Sequence, residues 1–301
     1  GLMDFNRNMV IEKQKVPFSL ENDPECLQRL MASIEDFILS TGVQRQLILG
    51  MGINLKGRIN LKAGHNFNYF HFHDEPLTAT LQKETGIPAF LENDSRAMAL
   101  GEYYNRVDAN EKHIVFVNLD YGIGTGIIID GNLYIGKSGF SGEISHIPLF
   151  ENELLCHCGK KGCLETEASG YAVLRKFKER IKKGASSSLL KDNKNPDDIT
   201  LADIVSGAQS EDTLCIELLA EAGEKLGKGL AVLINIFNPE LMIIGGVMAE
   251  SGDYIHLPAK STLNKFSLGL VNNDTILKFS TMGERAGVVG GCLNARNKVI
   301  G

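Results

Sequence analysis

Residues 121–165 read YGIGTGIIIDGNLYIGKSGFSGEISHIPLFENELLCHCGKKGCLE, and three signals lie in them: a glycine-rich hairpin, a glutamate and a histidine three apart, and a thiol cluster. His146, Cys156, Cys158 and Cys163 supply one imidazole and three thiolates, the donor set that closes a tetrahedral structural zinc site. Gly159 and Gly162 flank the thiols and let the backbone turn sharply enough to aim several sulfurs at one point. His157, between two of the cysteines, is an alternative fourth ligand. The plain alternative is a surface hairpin with reduced thiols, but three of the chain's six cysteines falling within eight residues favours the metal. Cys26, Cys215 and Cys292 stand alone in periodic apolar contexts and are expected in the core.

Strand and helix patterns alternate on both sides of this stretch. Residues 2–18 read as two short antiparallel strands around a polar turn at Asn6 to Asn8. Leu27, Leu30, Met31, Ile34 and Ile38 recur at helical spacing and predict a helix over residues 24–39. An apolar strand is expected over 46–53, a loop at Lys56-Gly57-Arg58, a helix over 77–85, and a strand over 87–91 that delivers Glu92-Asn93-Asp94 at its carboxyl end. A helix over 95–105 follows. A second series opens with a strand over 113–119 and the hairpin 122–135. Residues 184–198 read as a polar, turn-rich loop. One or two helices over 212–237 end at Asn238-Pro239, and their glycines 223, 227 and 229 suit close packing. Strands over 241–244 and 276–281 and a helix over 286–296 complete the pattern. Alternation of this kind implies an α/β fold, whose ligands gather at strand carboxyl ends.

The 301 residues suffice for one large or two medium domains with real cores. The polar stretch 106–112 is the candidate boundary. A formal charge of −6 without a basic stripe leaves no electrostatic footprint for nucleic acid. No apolar run approaches the ~20 residues of a membrane span and no signal peptide opens the chain, so no membrane contact and a cytoplasmic location are expected. Clustered thiols in that compartment argue for metal over disulfide.

The pentapeptide GEISH at 142–146, the run CHCG at 156–159 and GCLETEASG at 162–170 resemble the signature of the ROK family, named for repressors, open reading frames and kinases. Gly142, Glu143, His146, Cys156, Cys158, Gly159, Gly162, Cys163, Glu165, Ala168 and Ser169 carry the match, which extends from residue 2 to about residue 296. The resemblance implies a two-lobed actin-like ATPase (ribonuclease H-like) α/β fold. Residues 1–108 would form an N-terminal lobe, completed by a C-terminal helix over 286–301, and residues 109–285 a C-terminal lobe with the zinc hairpin. The family's opening DxGxT motif does not occur in the sequence, so the first strand of the N-terminal lobe is expected to be missing.

The resemblance also implies a sugar site. In the family's kinases the asparagine of the loop matched by ENDSRAMALGE binds sugar hydroxyls, and the aspartate takes the proton of the attacking hydroxyl. These are Asn93 and Asp94 here, Asp94 being the general base if the protein is a kinase. The plain reading is that both cap the helix that follows. Glu143, His146, Glu165 and Gly57 join them as implied sugar contacts, while Arg58 fits a contact and a solvated cation equally. His146 would serve the metal with one ring nitrogen and the sugar with the other. His65, His71 and His73 alternate with aromatic residues, which reads as a half-buried ribbon rather than a metal site.

Phosphoryl transfer needs phosphate and Mg²⁺ stabilisation as well as a base. The family's kinases hold phosphate in a GTGxGxG hairpin; here Asp120 and Tyr121 stand in place of its Gly-Thr. A carboxylate repels phosphate and a tyrosine fills the space of a glycine turn. In this the chain is most similar to sugar-responsive repressors of the N-acetylglucosamine and xylose repressor type. The expected function is therefore the effector-binding portion of a transcriptional regulator, non-catalytic, responding to a sugar or amino sugar, with structural zinc and no competent ATP site. Its contact with DNA would run only through a helix-turn-helix domain absent from this chain, and it would form a homo-oligomer, a dimer in the first instance. The alternative is an ATP- and Mg²⁺-dependent sugar kinase of the glucokinase or N-acetylmannosamine kinase type.

Overall fold

The structure, a computed structural model, describes residues 1–12, 19–61, 63–70, 72, 75–105 and 110–300. Contacts divide the chain into two units, one of Gly1–Ala109, Leu133–Ser141 and Glu284–Gly301, the other of Asn110–Asn132 and Gly142–Gly283. The sequence reading assigns 133–141 to the second lobe. This segment joins the first unit because the Arg96 guanidinium donates to the Gly139 carbonyl and the Phe140 ring lies 6.3 Å from that of Phe67.

The first unit opens with β1 (Leu2–Met3) and β2 (Met9–Ile11), an antiparallel pair. The expected second strand runs on into residues 13–18, which lie outside the described residues. Helix α1 (Pro24–Thr41) starts where the Asp23 carboxylate accepts the Cys26 amide and Pro24 occupies the first position, and it stops at Gly42, whose φ of 68° suits glycine. The strand expected over 46–53 begins only at Met51. Residues Arg45–Leu47 form a 3-10 turn, pinned by Arg45 donating to Glu35 and to the Thr85 carbonyl, while Leu47 and Leu49 stay exposed. The apolar run before Met51 thus does not serve this sheet.

The strand itself, β3 (Met51–Leu55), is followed by the short antiparallel pair β4 (Ile59–Asn60) and β5 (His65–Asn66), then α2 (Leu77–Thr85), β6 (Ala89–Asn93) and α3 (Asp94–Tyr104). β3 and β6 pair in parallel. His65 lies in the β4–β5 ribbon, whereas His71 and His73 fall outside the described residues.

The second unit is built on a five-stranded sheet. β7 (Ile114–Leu119), every residue of it buried, pairs antiparallel with β8 (Ile123–Ile129), which leads into β9 (Asn132–Leu133). Helices α4 (Glu165–Ala168), α5 (Gly170–Lys182) and α6 (Leu201–Gln209) follow. The expected loop over 184–198 carries two 3-10 turns and is tied down by Asp212, whose carboxylate accepts from Ser187 and Ser188. One continuous helix, α7 (Thr213–Phe237), stands where one or two are expected, and it ends at left-handed Asn238. Then come the fully buried β10 (Leu241–Gly245), α8 (Asp253–Phe266), α9 (Gly269–Asp274) and the edge strand β11 (Ile276–Phe279), giving the order β11-β10-β7-β8-β9. A Cβ on Gly223 or Gly227 would lie 2.5 Å from the carbonyl oxygens of Ile255 and Ala259, so these glycines set the approach of α7 to α8.

The chain returns to the first unit through α10 (Arg285–Ile300), which lies backbone to backbone on α3: a Cβ on Gly290 would be 1.7 Å from the Ala97 carbonyl oxygen. Among the described residues no helix is long and apolar enough to cross a membrane.

Candidate functional site

In the first unit, β6 ends at Asn93, which is also the N-cap of α3. Its Oδ1 accepts the amides of Ser95 at 3.1 Å and Arg96 at 3.2 Å. The capping expected of this residue is therefore present, and it fixes the side chain. The amide nitrogen donates to the Gly57 carbonyl at 3.1 Å and to Asp94 Oδ1 at 3.0 Å, so the three residues expected to meet a sugar from this unit lie in one hydrogen-bonded group. Asp94 sits at the positive end of α3, where a carboxylate is stabilised. Gly57 has φ +86° and its missing Cβ leaves room for Asn68 Oδ1, which would be 2.1 Å away. That same oxygen accepts the Arg58 amide at 3.1 Å, while the Arg58 side chain is exposed.

Beneath this group lies a pair that sequence reasoning missed. Arg96 Nε donates to Glu92 Oε1 at 2.6 Å, with both side chains 4% exposed or less. Glu92 Oε1 also accepts the Asn93 amide at 2.8 Å. The i, i+4 spacing of an acid and an arginine across the strand-to-helix junction is the signal that could have found it.

In the second unit, residues Ile144–His146 form a 3-10 turn with Glu143 before it, which brings the two expected side chains to one side: His146 Nε2 stands 3.8 Å from Glu143 Oε2. The opposite ring nitrogen, Nδ1, lies 3.6 Å from Cys156 Sγ. Cys158 and Cys163 Sγ are also 3.6 Å apart, and the donor atoms of His146, Cys156, Cys158 and Cys163 all fall within 4.8 Å of one another. His157 points its Nδ1 at Cys156 from 3.9 Å but is not in that group. Gly162, at φ +74°, allows the Phe150 carbonyl to approach; a Cβ would be 2.1 Å from its oxygen. Burial pushes the Cys163 thiol up to about 12, so a cation is what would hold it as thiolate.

Glu165 is buried at the start of α4 and accepts the Ile123 amide at 3.1 Å. Burial pushes its carboxyl up to about 7, against the pull of the Ile123 amide and the Ser145 hydroxyl.

The glycine hairpin beside it is closed on itself. The Asp120 carboxylate accepts the Tyr121 amide at 2.8 Å, and the Asp120 amide donates to the Gly122 carbonyl at 3.0 Å. The first amides of α5, those of Gly170 and Tyr171, donate to the carbonyls of Asp120 at 3.0 Å and Tyr121 at 2.8 Å, and Ser169 Oγ accepts the third, from Ala172. The Tyr121 ring packs edge-on against Tyr171 with centroids 5.8 Å apart. A helix start and glycine turn of this kind can cradle an anion only with free amides, and here the first three are taken.

A family model described as "ROK family" matches residues 1–298. A glucokinase of Halalkalibacterium halodurans is 30% identical over 286 residues, covering 94% of this chain and 87% of the enzyme. A xylose repressor of Caldicellulosiruptor bescii is 31% identical over 287 residues, covering 94% of this chain and 71% of the repressor. Among solved structures, a ROK family transcriptional regulator described as a homologue of the Escherichia coli MLC protein superposes with a TM-score of 0.81 at 29% identity. That match covers 99% of this chain and 74% of the regulator.

Proposed function

Since the chain belongs to the ROK family, we propose that it is the sugar-binding portion of a transcriptional regulator that keeps the family's metal hairpin and makes no use of a nucleotide. Its fold is the mixed α/β, actin-like ATPase fold of that family. The observation that carries the non-catalytic reading is the occupied turn at Asp120 and Tyr121. Its amides and those of α5 are spent within the chain, and a carboxylate and a phenol stand at its mouth. Phosphate binding there would require breaking these bonds and placing its charge beside Asp120.

The proposed sugar contacts are Asn93, Asp94 and Gly57, which share one hydrogen-bonded group, and Glu143, His146 and Glu165. A pyranose offers hydroxyls that both donate and accept, and these residues supply amide, carboxylate and imidazole partners for them. Each hydrogen bond to a charged group contributes roughly 1.5–3 kcal/mol. Asp94→Ala is therefore expected to weaken sugar binding about 10- to 100-fold with the fold intact, as titration calorimetry with a panel of hexoses, pentoses and N-acetylhexosamines would read.

The metal is zinc. Tetrahedral coordination with Zn–S near 2.3 Å and Zn–N near 2.0–2.1 Å separates the donor atoms by roughly 3.5–3.8 Å. The spacings of 3.6 Å between Cys156 and His146 and between Cys158 and Cys163 fall in that range. When bound, zinc would hold the hairpin and turn the His146 ring so that Nε2 faces Glu143, with no part in chemistry.

The kinase reading rests on Asp94, a carboxylate placed at the start of α3 where a general base is wanted, and on the likeness to a glucokinase. ADP release across the same sugars, measured on the full-length natural protein, separates the two. The regulator reading expects no turnover above background and no thermal shift with MgATP, beside a clear shift with the responding sugar. Sustained ADP release would overturn it.

A further inference from the structure

The first unit carries a cavity of about 330 Å³ that is lined by none of the proposed sugar contacts. Asn60 and Ala63 border it from the β4–β5 ribbon, and Lys137 and Ser138 from the segment 133–141, which belongs to the same unit. Its volume lies at the small end of ligand pockets, room for one ring rather than for a large cofactor.

The alternation of the ribbon determines what lies beside this cavity. β4 and β5 pair Ile59 with Asn66 and Asn60 with His65, and the Phe67 amide carries the ladder one step further by donating to the Arg58 carbonyl at 3.0 Å. Residues opposite each other in an antiparallel ladder share a face, and the faces alternate along each strand. Ile59 and Asn66 therefore occupy one face and are buried, whereas Arg58, Asn60, His65 and Phe67 share the other. On that outward face Phe67 stays 53% exposed, and the ring of Phe140, itself 41% exposed, stands 6.3 Å away and tilted by 45°.

The segment that brings Phe140 there is fastened. The Gly139 carbonyl accepts the Arg96 guanidinium, and a Cβ on Gly139 would lie 3.1 Å from the Ile59 carbonyl oxygen. Residues 137–140 thus lie against the ribbon, with Lys137 and Ser138 at the cavity and Phe140 on Phe67. Asn60 Oδ1 accepts the Ala63 amide at 3.1 Å, which fixes the amide side chain at the cavity wall. An ammonium, a hydroxyl and a carboxamide beside two solvent-facing aromatic rings suit a ring with an apolar face and a rim of hydroxyls, which is a second sugar.

The same ribbon adjoins the hydrogen-bonded group around Asn93. The Gly57 carbonyl accepts Asn93 Nδ2, and Arg58, the next residue, opens the outward face that carries Phe67. Asn68 Oδ1 accepts the Arg58 amide at 3.1 Å and holds this corner closed.

We propose that Phe67, Phe140, Lys137 and Ser138 form a second subsite, which takes the outer ring of a two-ring saccharide, so that the effector is a disaccharide rather than a free monosaccharide. This rests on the sugar-binding reading above: one ring meets Asn93, Asp94 and Gly57, and the other stacks on the phenylalanines.

Titration calorimetry on the 301-residue chain would compare each monosaccharide with its own dimers: glucose with cellobiose and maltose, xylose with xylobiose, and N-acetylglucosamine with chitobiose. At least one dimer is expected to bind roughly 10-fold tighter than its monosaccharide, a gain of the size of one aromatic contact. Phe67→Ala and Phe140→Ala, both at exposed positions, should each bring that dimer's affinity down towards the monosaccharide's. A ratio near one for every dimer overturns the subsite alone, and so does an equal loss of dimer and monosaccharide affinity in the variants, which would make the rings structural. Failure of every sugar to bind, monosaccharides included, overturns the sugar-binding reading and the subsite with it.

Discussion

Cys163→Ser is expected to abolish stoichiometric zinc binding and to lower the thermal midpoint of the second unit by roughly 8–16 °C. Cys163 is fully buried, lies 3.6 Å from Cys158 and forms an antiparallel bridge with Pro148, so it is both a proposed ligand and the closing point of the hairpin. Loss of a structural metal is among the few single changes expected to exceed about 4 kcal/mol. For chains of 150–250 residues each kcal/mol shifts the midpoint by about 2–4 °C. Chelation of the wild-type protein should reproduce the shift, and Cys292→Ser, in the other unit, should not. The two histidines separate cleanly: His146→Ala should weaken zinc affinity by 10-fold or more, whereas His157→Ala should leave stoichiometry at one, because only His146 joins the 4.8 Å donor group. A Cys163→Ser protein that retains one zinc and its midpoint would remove the metal from the account.

The hairpin is legible in the sequence because its candidate ligands are local. Cys156, Cys158 and Cys163 span eight residues, and the glycines among them mark where the backbone must turn, as the left-handed Gly159 and Gly162 bear out. Asn93 and Asp94 are legible for a similar reason, since a strand end running into a helix cap places both at once. What is not legible depends on partners distant in sequence. Residues 46–50 read as strand from their apolar character, but Leu47 and Leu49 face a cavity beside β3, and only the position of α1 and α10 reveals that. The segment 133–141 follows its hairpin in sequence yet belongs with the first unit because one guanidinium, that of Arg96, takes the Gly139 carbonyl. Helix α8, over a stretch for which no element is expected, holds Pro258 inside it yet buries Ile255, Ala259 and Leu263 at helical spacing. Helix α5 carries an apolar stripe at helical spacing, Val173 and Phe177 buried with Leu174 and Ile181 partly buried against the same core, and that periodicity is the signal that could have found it.

Arg96→Met is expected to destabilise the first unit by about 3–5 kcal/mol, the range for leaving one member of a buried ion pair unpaired. Arg96 holds Glu92 through Nε and the Gly139 carbonyl through Nη1, and Glu92 in turn holds the Asn93 amide. The pair thus joins the segment 133–141 to the cap that fixes Asn93 and Asp94. Its worth as an ion pair is a separate matter from the damage done by breaking it. Replacing both members with apolar residues removes the uncompensated charge, and such replacements are often neutral. The double variant Glu92→Leu/Arg96→Met still orphans the Gly139 carbonyl and the Asn93 amide, each at about 1–3 kcal/mol. It should therefore be no worse than Arg96→Met alone, and its loss should fall well short of the sum of the two single variants in urea titrations. Sugar affinity should not recover with stability, because Asn93 has lost the acceptor of its main-chain amide. A single variant costing under about 1 kcal/mol, or a double variant costing the full sum, would mean that Glu92 and Arg96 act independently and that the cap is held by α3 alone.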